Sequence, residues 1–101
     1  MESSVVYDDD LAFAFRDINP QAPVHILVVP RRHIASMIEV GSDDLALLGH
    51  LLGVARKLAD DEQLGKNGYR IVINTGSYAG QTVHHLHVHL LGGRAFHWPP
   101  G

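Results

Sequence analysis

The chain has 101 residues, a formal net charge of −3 and no cysteine, and 46% of its residues are hydrophobic. This length fits one compact domain over residues 1–101, and the composition is that of a globular chain. The lack of cysteine excludes disulfides and thiolate metal sites. Scattered basic residues argue against nucleic acid as a partner, and no apolar run has the length of a membrane span. Without a secretory signal pattern, we expect a cytoplasmic protein.

The first part of the chain predicts three strands. The runs "SVVY" and "LAFAF" flank three aspartates at 8–10, which predicts a β-hairpin. The prolines of "NPQAP" (19–23) predict a loop. The β-branched run "VHILVV" (24–29) predicts a central strand that ends at Pro30, and "IASMIE" (34–39) predicts one short helical turn.

One long helix follows. Ser42 is the expected N-cap, and the acidic pair 43–44 favours the positive end of the helix dipole. The helix is expected to end near residues 61–63, before glycines in the exit loop. Its core-facing stripe is predicted to hold Leu45, Leu48, Leu52, Ala55 and Ala59.

The last part predicts two more strands, "YRIVIN" (69–74) and "HLHVHLL" (85–91), separated by the turn-rich loop "TGSYAG" (75–80). Neighbouring strands mostly lack an intervening helix. The sequence therefore predicts an α+β fold with a five-stranded antiparallel meander sheet, one long helix and one short helical turn.

Three histidines stand at alternate positions of the last strand. Because side chains alternate across a strand, His85, His87 and His89 share one face, and Leu86 and Val88 lie on the core face. Three interpretations are open: a solvated histidine-rich strand, a metal site to which His25 or His33 is added, or nucleophilic catalysis by an imidazole. Gly80, Gln81 and Thr82 precede the strand and form a loop suited to phosphate, which favours catalysis.

These blocks resemble a known family. "HLHVHLL" is similar to the His-φ-His-φ-His-φ-φ signature of the histidine triad (HIT) superfamily, where φ is apolar. "DINPQAPVHILVVPRRHI", "NGYRIVINTG" and "GQTVHHLHVHLLGGR" followed by "HWPPG" resemble the histidine triad nucleotide-binding (Hint) branch. The resemblance extends from about Val5 to Gly101, and it implies that the N-terminal segment of this branch is shortened or absent here.

The resemblance implies a homodimer in which two sheets join into one. It implies hydrolysis of the P–N bond of a purine nucleoside phosphoramidate, such as an adenylylated lysine, without a metal or other cofactor. Two alternatives remain: a dinucleoside polyphosphate hydrolase of the same superfamily, and a non-catalytic nucleotide-binding or scaffolding module.

The resemblance also assigns roles to the histidines. His87 is the expected nucleophile and would carry the nucleotidyl group. The backbone carbonyl of His85 is expected to accept a hydrogen bond from its other ring nitrogen, and the His85 side chain belongs to a supporting network. His89 is expected to contact phosphate oxygens, and His25 to join the network, although a buried structural histidine is the alternative for His25.

The remaining expected contacts surround the nucleotide. Asp17 would accept from the ribose hydroxyls, and Asn74 would meet the ribose or phosphate. Trp98 is expected either to pack locally or to reach the partner subunit's pocket. The base slot is expected from Phe15, Ile18 and Leu27, and the phosphate loop from Gly80, Gln81, Thr82 and Val83.

Overall fold

A computed structural model describes residues 4–101. Within them no helix is both long and apolar enough to cross a membrane. The regular elements are the strands β1 (Val5–Asp8), β2 (Ala12–Arg16), β3 (Val24–Pro30), β4 (Tyr69–Val72) and β5 (Val88–Gly92), the helix α1 (Leu45–Asp61), and 3-10 turns at Met37–Glu39, Ser42–Asp44 and Ser77–Ala79.

The sheet is antiparallel throughout, with the strand order β1-β2-β3-β5-β4. The α+β class with five strands and one long helix is confirmed. The order differs from a simple meander, because the connection through α1 carries the chain past β3 to the far edge. There β4 forms, and β5 returns between β3 and β4.

The helix covers one face of the sheet. Its buried stripe holds Leu51, Val54, Ala55, Leu58 and Ala59, which pack against Ala12, Ala14, Ile26, Val28, Val88 and Leu90. The predicted stripe was right for Ala55 and Ala59, and the partly buried Leu48 also packs against the core, but it was wrong for Leu45 and Leu52. Leu45 is 60% exposed and Leu52 is 40% exposed, because the spacing from Leu51 to Ala59 turns these leucines away from the sheet.

The start of α1 also differs from the prediction. Ser42 begins a 3-10 turn instead of capping the helix, and Asp44 holds the N-cap position of α1. The Asp44 carboxylate accepts a hydrogen bond from the backbone N–H of Gly41 at 3.0 Å, which closes the 3-10 turn. The predicted helix end near residues 61–63 and the short turn within 34–39 are confirmed.

The last strand is shorter than predicted. Its ladder begins at Val88, because the backbone N–H of Leu86 donates to the carbonyl of Ile34 outside the sheet. The alternation of faces nevertheless extends back through the extended residues before it. Leu86 and Val88 are buried, whereas His85, His87 and His89 are half-buried on the other face. The histidines therefore lie on the sheet face that α1 leaves open.

Candidate active site

An apolar pocket of about 400 Å³ lies on the open face of the sheet. Phe15 on β2 pairs with Leu27 on β3, and Phe13 pairs with Val29, so these four side chains form its floor. Five further residues complete its lining: Asp17, Ile18, Val83, His85 and His87.

Sequence reasoning missed Phe13 and Val29. The two-residue period of a strand was the signal that would have found them, because Phe13 precedes Phe15 by two positions and Val29 follows Leu27 by two. The expected base-slot residues Phe15, Ile18 and Leu27 do come together with Asp17, Val83 and His87 in one pocket.

His87 has a defined proton position. Its Nδ1 lies 2.7 Å from the backbone carbonyl oxygen of His85, the contact that was expected for it. A carbonyl oxygen only accepts, so Nδ1 carries the hydrogen. In the neutral ring Nε2 is therefore unprotonated, and it has a lone pair available at the pocket.

His85 lines the pocket, and residues outside the lining hold its ring. Its Nε2 donates to the carbonyl of Pro30 at 2.8 Å, and its Nδ1 lies 3.0 Å from Nδ1 of the exposed His33. The His33 and His85 rings are tilted, with centroids 5.1 Å apart. The His33–His85 pair thus lies at the end of β3, next to the nucleophile candidate.

A second histidine pair lies on the opposite side of His87. The backbone N–H of Gln21 donates to Nδ1 of His25 at 3.0 Å, so the neutral His25 ring carries its hydrogen on Nε2. That Nε2 lies 2.9 Å from Nδ1 of His89 and donates to it. His89 is then left with its hydrogen on Nε2, a donor without a partner among residues 4–101, beside His87, whose ring centroid is 4.9 Å away.

Burial makes the His25–His89 pair resistant to protonation. Desolvation, followed by the nearby His87 and His25, lowers the pKa of His89 to about 4, and Asp17 opposes this shift. Burial likewise lowers the pKa of His25, against the attraction of Asp17, whose Oδ2 is 3.5 Å from His25 Nε2. Both rings are therefore neutral at pH 7, and their hydrogens stay where the hydrogen bonds place them.

A metal would compete with this hydrogen-bonded arrangement. One ligand atom each of Asp17, His25 and His89 lies within 4.8 Å of the others. This set differs from the metal site considered from the sequence, which consisted of the three triad histidines with His25 or His33 added. A cation at this place would have to replace the 2.9 Å His25–His89 hydrogen bond. The Asp17 carboxylate also accepts from the backbone N–H of Asn19 at 2.9 Å, which fixes its orientation toward the pocket.

The loop before the triad is held by Gln81. Its side-chain nitrogen donates to the carbonyls of Ala35 at 2.8 Å and Val83 at 3.0 Å, and its side-chain oxygen accepts from Gly76. The Gln81 backbone N–H donates to the Gly76 carbonyl. These bonds hold the loop in which the resemblance implied a phosphate contact by Gln81.

Four other expected residues lie outside the pocket lining. Asn74 is half-buried just after β4, Thr82 is exposed, and Gly80 adopts a left-handed conformation with φ of 83° that favours glycine. Trp98 is 82% exposed and does not line the pocket of its own chain.

The C-terminal tail connects to the loop that fixes His25. Arg94 donates from Nε and Nη2 to the carbonyl of Gln21 at 3.2 and 3.1 Å. The ring of Phe96 lies 4.3 Å from the Arg94 guanidinium and 5.1 Å from that of Arg70. Arg94 therefore joins the tail to Gln21, which in turn sets the proton position of His25.

Known proteins share both the sequence and this fold. The model of the HIT domain family matches residues 1–96. A HIT-like protein of Synechococcus elongatus is 58% identical over 98% of this chain and 86% of its own length. A HIT family hydrolase from Legionella pneumophila has a TM-score of 0.97 at 50% identity, over 100% of this chain and 90% of that one. For a histidine triad nucleotide-binding protein from Candida albicans the TM-score is 0.80 at 30% identity, over 98% and 76%. The chain belongs to the HIT domain family.

Proposed function

We propose that this protein hydrolyses the P–N bond of purine nucleoside 5′-phosphoramidates through a nucleotidyl group on His87. One observation carries the proposal: His87 Nδ1 is held by the His85 carbonyl at 2.7 Å, which leaves Nε2 with a lone pair at an apolar pocket of about 400 Å³. Its similarity to a HIT family hydrolase and to a nucleotide-binding protein of the same family supports the proposal.

The reaction has two steps in this proposal. His87 Nε2 attacks the phosphorus, the N–P bond to the ring forms, the P–N bond to the amine breaks, and the departing amine takes up a proton from solvent water. The positive charge on the substituted ring is stabilised by the His85 carbonyl on Nδ1–H. Water then attacks phosphorus, the N–P bond to His87 breaks, and the attacking water gives its proton to the solvent. This releases the nucleoside monophosphate and restores neutral His87.

The surrounding residues fit the parts of a nucleotide. His89 Nε2–H is the donor for a phosphoryl oxygen, and we assign Thr82 and the backbone of Gly80 to the same group. Asp17 accepts from the ribose hydroxyls and Asn74 contacts the ribose or phosphate. The base lies in the apolar slot of Phe13, Phe15, Ile18, Leu27, Val29 and Val83.

We also propose a homodimer that extends the sheet across β4. This strand is an edge of the sheet, and its Tyr69 and Ile71 are each 37% exposed. The leucines that α1 turns away from the core, Leu45 and Leu52, would be buried by a second copy. In such a dimer the exposed Trp98 of one subunit would lie against the pocket of the other. A cytoplasmic location stays a prediction of the sequence.

Single-turnover mass spectrometry tests the function. Protein in excess over an adenosine phosphoramidate is quenched early, and the peptide with His87 is expected to gain one nucleotidyl group. His87→Ala removes the adduct and lowers turnover by roughly 10³-fold or more, while nucleotide binding persists. If the wild-type protein binds nucleotide but leaves the substrate intact and forms no adduct, it is a nucleotide-binding module and the proposed function is wrong.

A second substrate separates the hydrolase alternatives. The same protein is given a dinucleoside polyphosphate under matched conditions, and the phosphoramidate is expected to react faster by at least an order of magnitude. A reversed preference would identify the polyphosphate hydrolase. Chelator treatment leaves the rate unchanged in our proposal, whereas stoichiometric metal and loss of activity on chelation would identify a metal mechanism.

A further inference from the structure

Three contacts from one short segment converge on the residues before the nucleophile. The segment Pro30–Ile34 begins at the last residue of β3. The Pro30 carbonyl accepts from Nε2 of His85 at 2.8 Å, His33 Nδ1 lies 3.0 Å from His85 Nδ1, and the Ile34 carbonyl accepts from the N–H of Leu86 at 2.6 Å. His33 is exposed and does not line the pocket.

The proton positions in this cluster follow from the Pro30 carbonyl. Because that oxygen only accepts, His85 carries a hydrogen on Nε2, and the Nδ1 of its neutral ring is an acceptor. His33 must then donate from its own Nδ1. The His85 ring is therefore held at both nitrogens, by the Pro30 carbonyl at Nε2 and by the His33 imidazole at Nδ1.

One peptide unit links this cluster to the nucleophile. The His85 carbonyl and the Leu86 N–H belong to the same peptide group. Its N–H donates to Ile34, while its oxygen accepts from Nδ1 of His87 at 2.7 Å. Hydrogen bonds at the two ends of a peptide polarise each other, so the bond to Ile34 strengthens the acceptor that holds His87. The orientation of this peptide fixes the orientation of the His87 ring.

We propose that His33 is a positioning residue for the nucleophile. Its Nδ1–H holds the His85 ring against Pro30, and the anchored His85 keeps the His85–Leu86 peptide in the orientation that aims His87 Nε2 into the pocket. This inference rests on the proposed function, in which His87 attacks phosphorus.

Three substitutions at position 33 distinguish the effect of the hydrogen-bond donor from the effect of side-chain bulk. Asparagine keeps an N–H donor at a similar distance from the backbone, alanine removes it, and aspartate offers only an acceptor. We expect His33→Ala to lower the single-turnover rate at saturating substrate roughly tenfold, the range of one net hydrogen bond, with substrate affinity changed less than twofold. His33→Asn keeps most of the rate.

His84→Ala is the matched control. His84 is also an exposed histidine beside His85, and its side chain makes no hydrogen bond within residues 4–101. The control is expected to react at the wild-type rate. A rate loss that is equal in His33→Ala, His33→Asn and His84→Ala would overturn the proposal, as would an unchanged rate in His33→Ala.

Nitrogen-15 NMR spectra of the ligand-free protein report the protonation of the His85 ring nitrogens independently of turnover. Wild-type His85 is expected to show hydrogen on Nε2 alone. His33→Asp is expected to shift His85 toward the doubly protonated ring, because the new carboxylate requires a donor at Nδ1. A His85 spectrum that is identical in wild type, His33→Ala and His33→Asp overturns the proposal. If wild type forms no adduct on His87, the proposed function fails, yet these spectra still decide whether His33 holds His85.

Discussion

Two histidine pairs flank His87, and they differ in burial although their ring geometries are nearly the same, with centroids 5.2 and 5.1 Å apart. His25 is 6% exposed and hydrogen-bonds His89, whereas His33 is exposed and hydrogen-bonds His85. Burial lowers the pKa of both members of the first pair. The comparison shows that equal spacing along a strand gives the imidazoles one face in common, while the element packed against each imidazole decides its chemistry.

The largest expected contrast is in stability. His25→Ala leaves a cavity and removes the acceptor of the Gln21 N–H, so we expect the free energy of unfolding to fall by about 2–3 kcal/mol. His33→Ala removes an exposed ring and one hydrogen bond to His85, so we expect a loss of no more than about 1 kcal/mol. Urea unfolding of both variants measures the difference. Equal losses would mean that the two pairs are energetically alike.

The pH dependence of stability sharpens the same contrast. The folded-state pKa of His89, about 4, is below its ordinary value, so between about pH 6.5 and pH 4 the unfolded chain binds more protons than the folded one. The contribution of His89 to stability is therefore fully present above about pH 6.5 and is lost as the pH falls to its folded pKa. We expect the urea midpoint to decline over this range.

Substitutions assign that decline to the buried pair. In His89→Gln, which keeps a polar side chain without a titrating ring, the midpoint is expected to vary less between pH 7 and pH 4.5 than in wild type. His84→Ala serves as the comparison, because His84 is exposed, and it should follow the wild-type curve. A decline of the same size in His89→Gln would place its origin elsewhere in the chain.

The smallest expected effect concerns the tail that supports the buried pair. Arg94→Gln removes the two hydrogen bonds from the guanidinium to the Gln21 carbonyl. Because these bonds are exposed to solvent, we expect the free energy of unfolding to fall by only about 0.5–1 kcal/mol. We expect faster hydrogen exchange at the Gln21 amide and little change at the Leu86 amide, which belongs to the other pair. Equal acceleration at both amides would show that the tail acts on the whole site.

The sequence predicted most of the fold for reasons that can be named. Strand alternation placed the three histidines on one face, and the apolar runs located all five strands. The face of α1 was half wrong because leucines occur on two sides of the helix, and only the sheet beneath it selects Leu51 and Leu58 over Leu45 and Leu52. The position of β5 between β3 and β4 depends on long-range pairing, which local patterns do not contain.

The site was predicted less completely than the fold. The two-residue period of a strand could have predicted Phe13 and Val29 as pocket residues. The hydrogen-bond partners of His25 and His85 could not be predicted in this way. The Gln21 N–H and the Pro30 carbonyl are backbone groups, and every residue has such groups, so no residue type marks them. Gln81 resembles a ligand-binding residue in sequence, yet its polar atoms are occupied within its loop.

The bonds made by Gln81 have a consequence for the thermodynamics of ligand capture. A loop tied to Ala35, Gly76 and Val83 has already lost its conformational entropy when the chain folds. In the proposed function, a phosphate that bound beside this loop would not need to order it, so little of its binding enthalpy would be offset by lost chain entropy. Association should accordingly follow a single exponential whose rate rises linearly with ligand concentration, without the plateau that a slow rearrangement imposes.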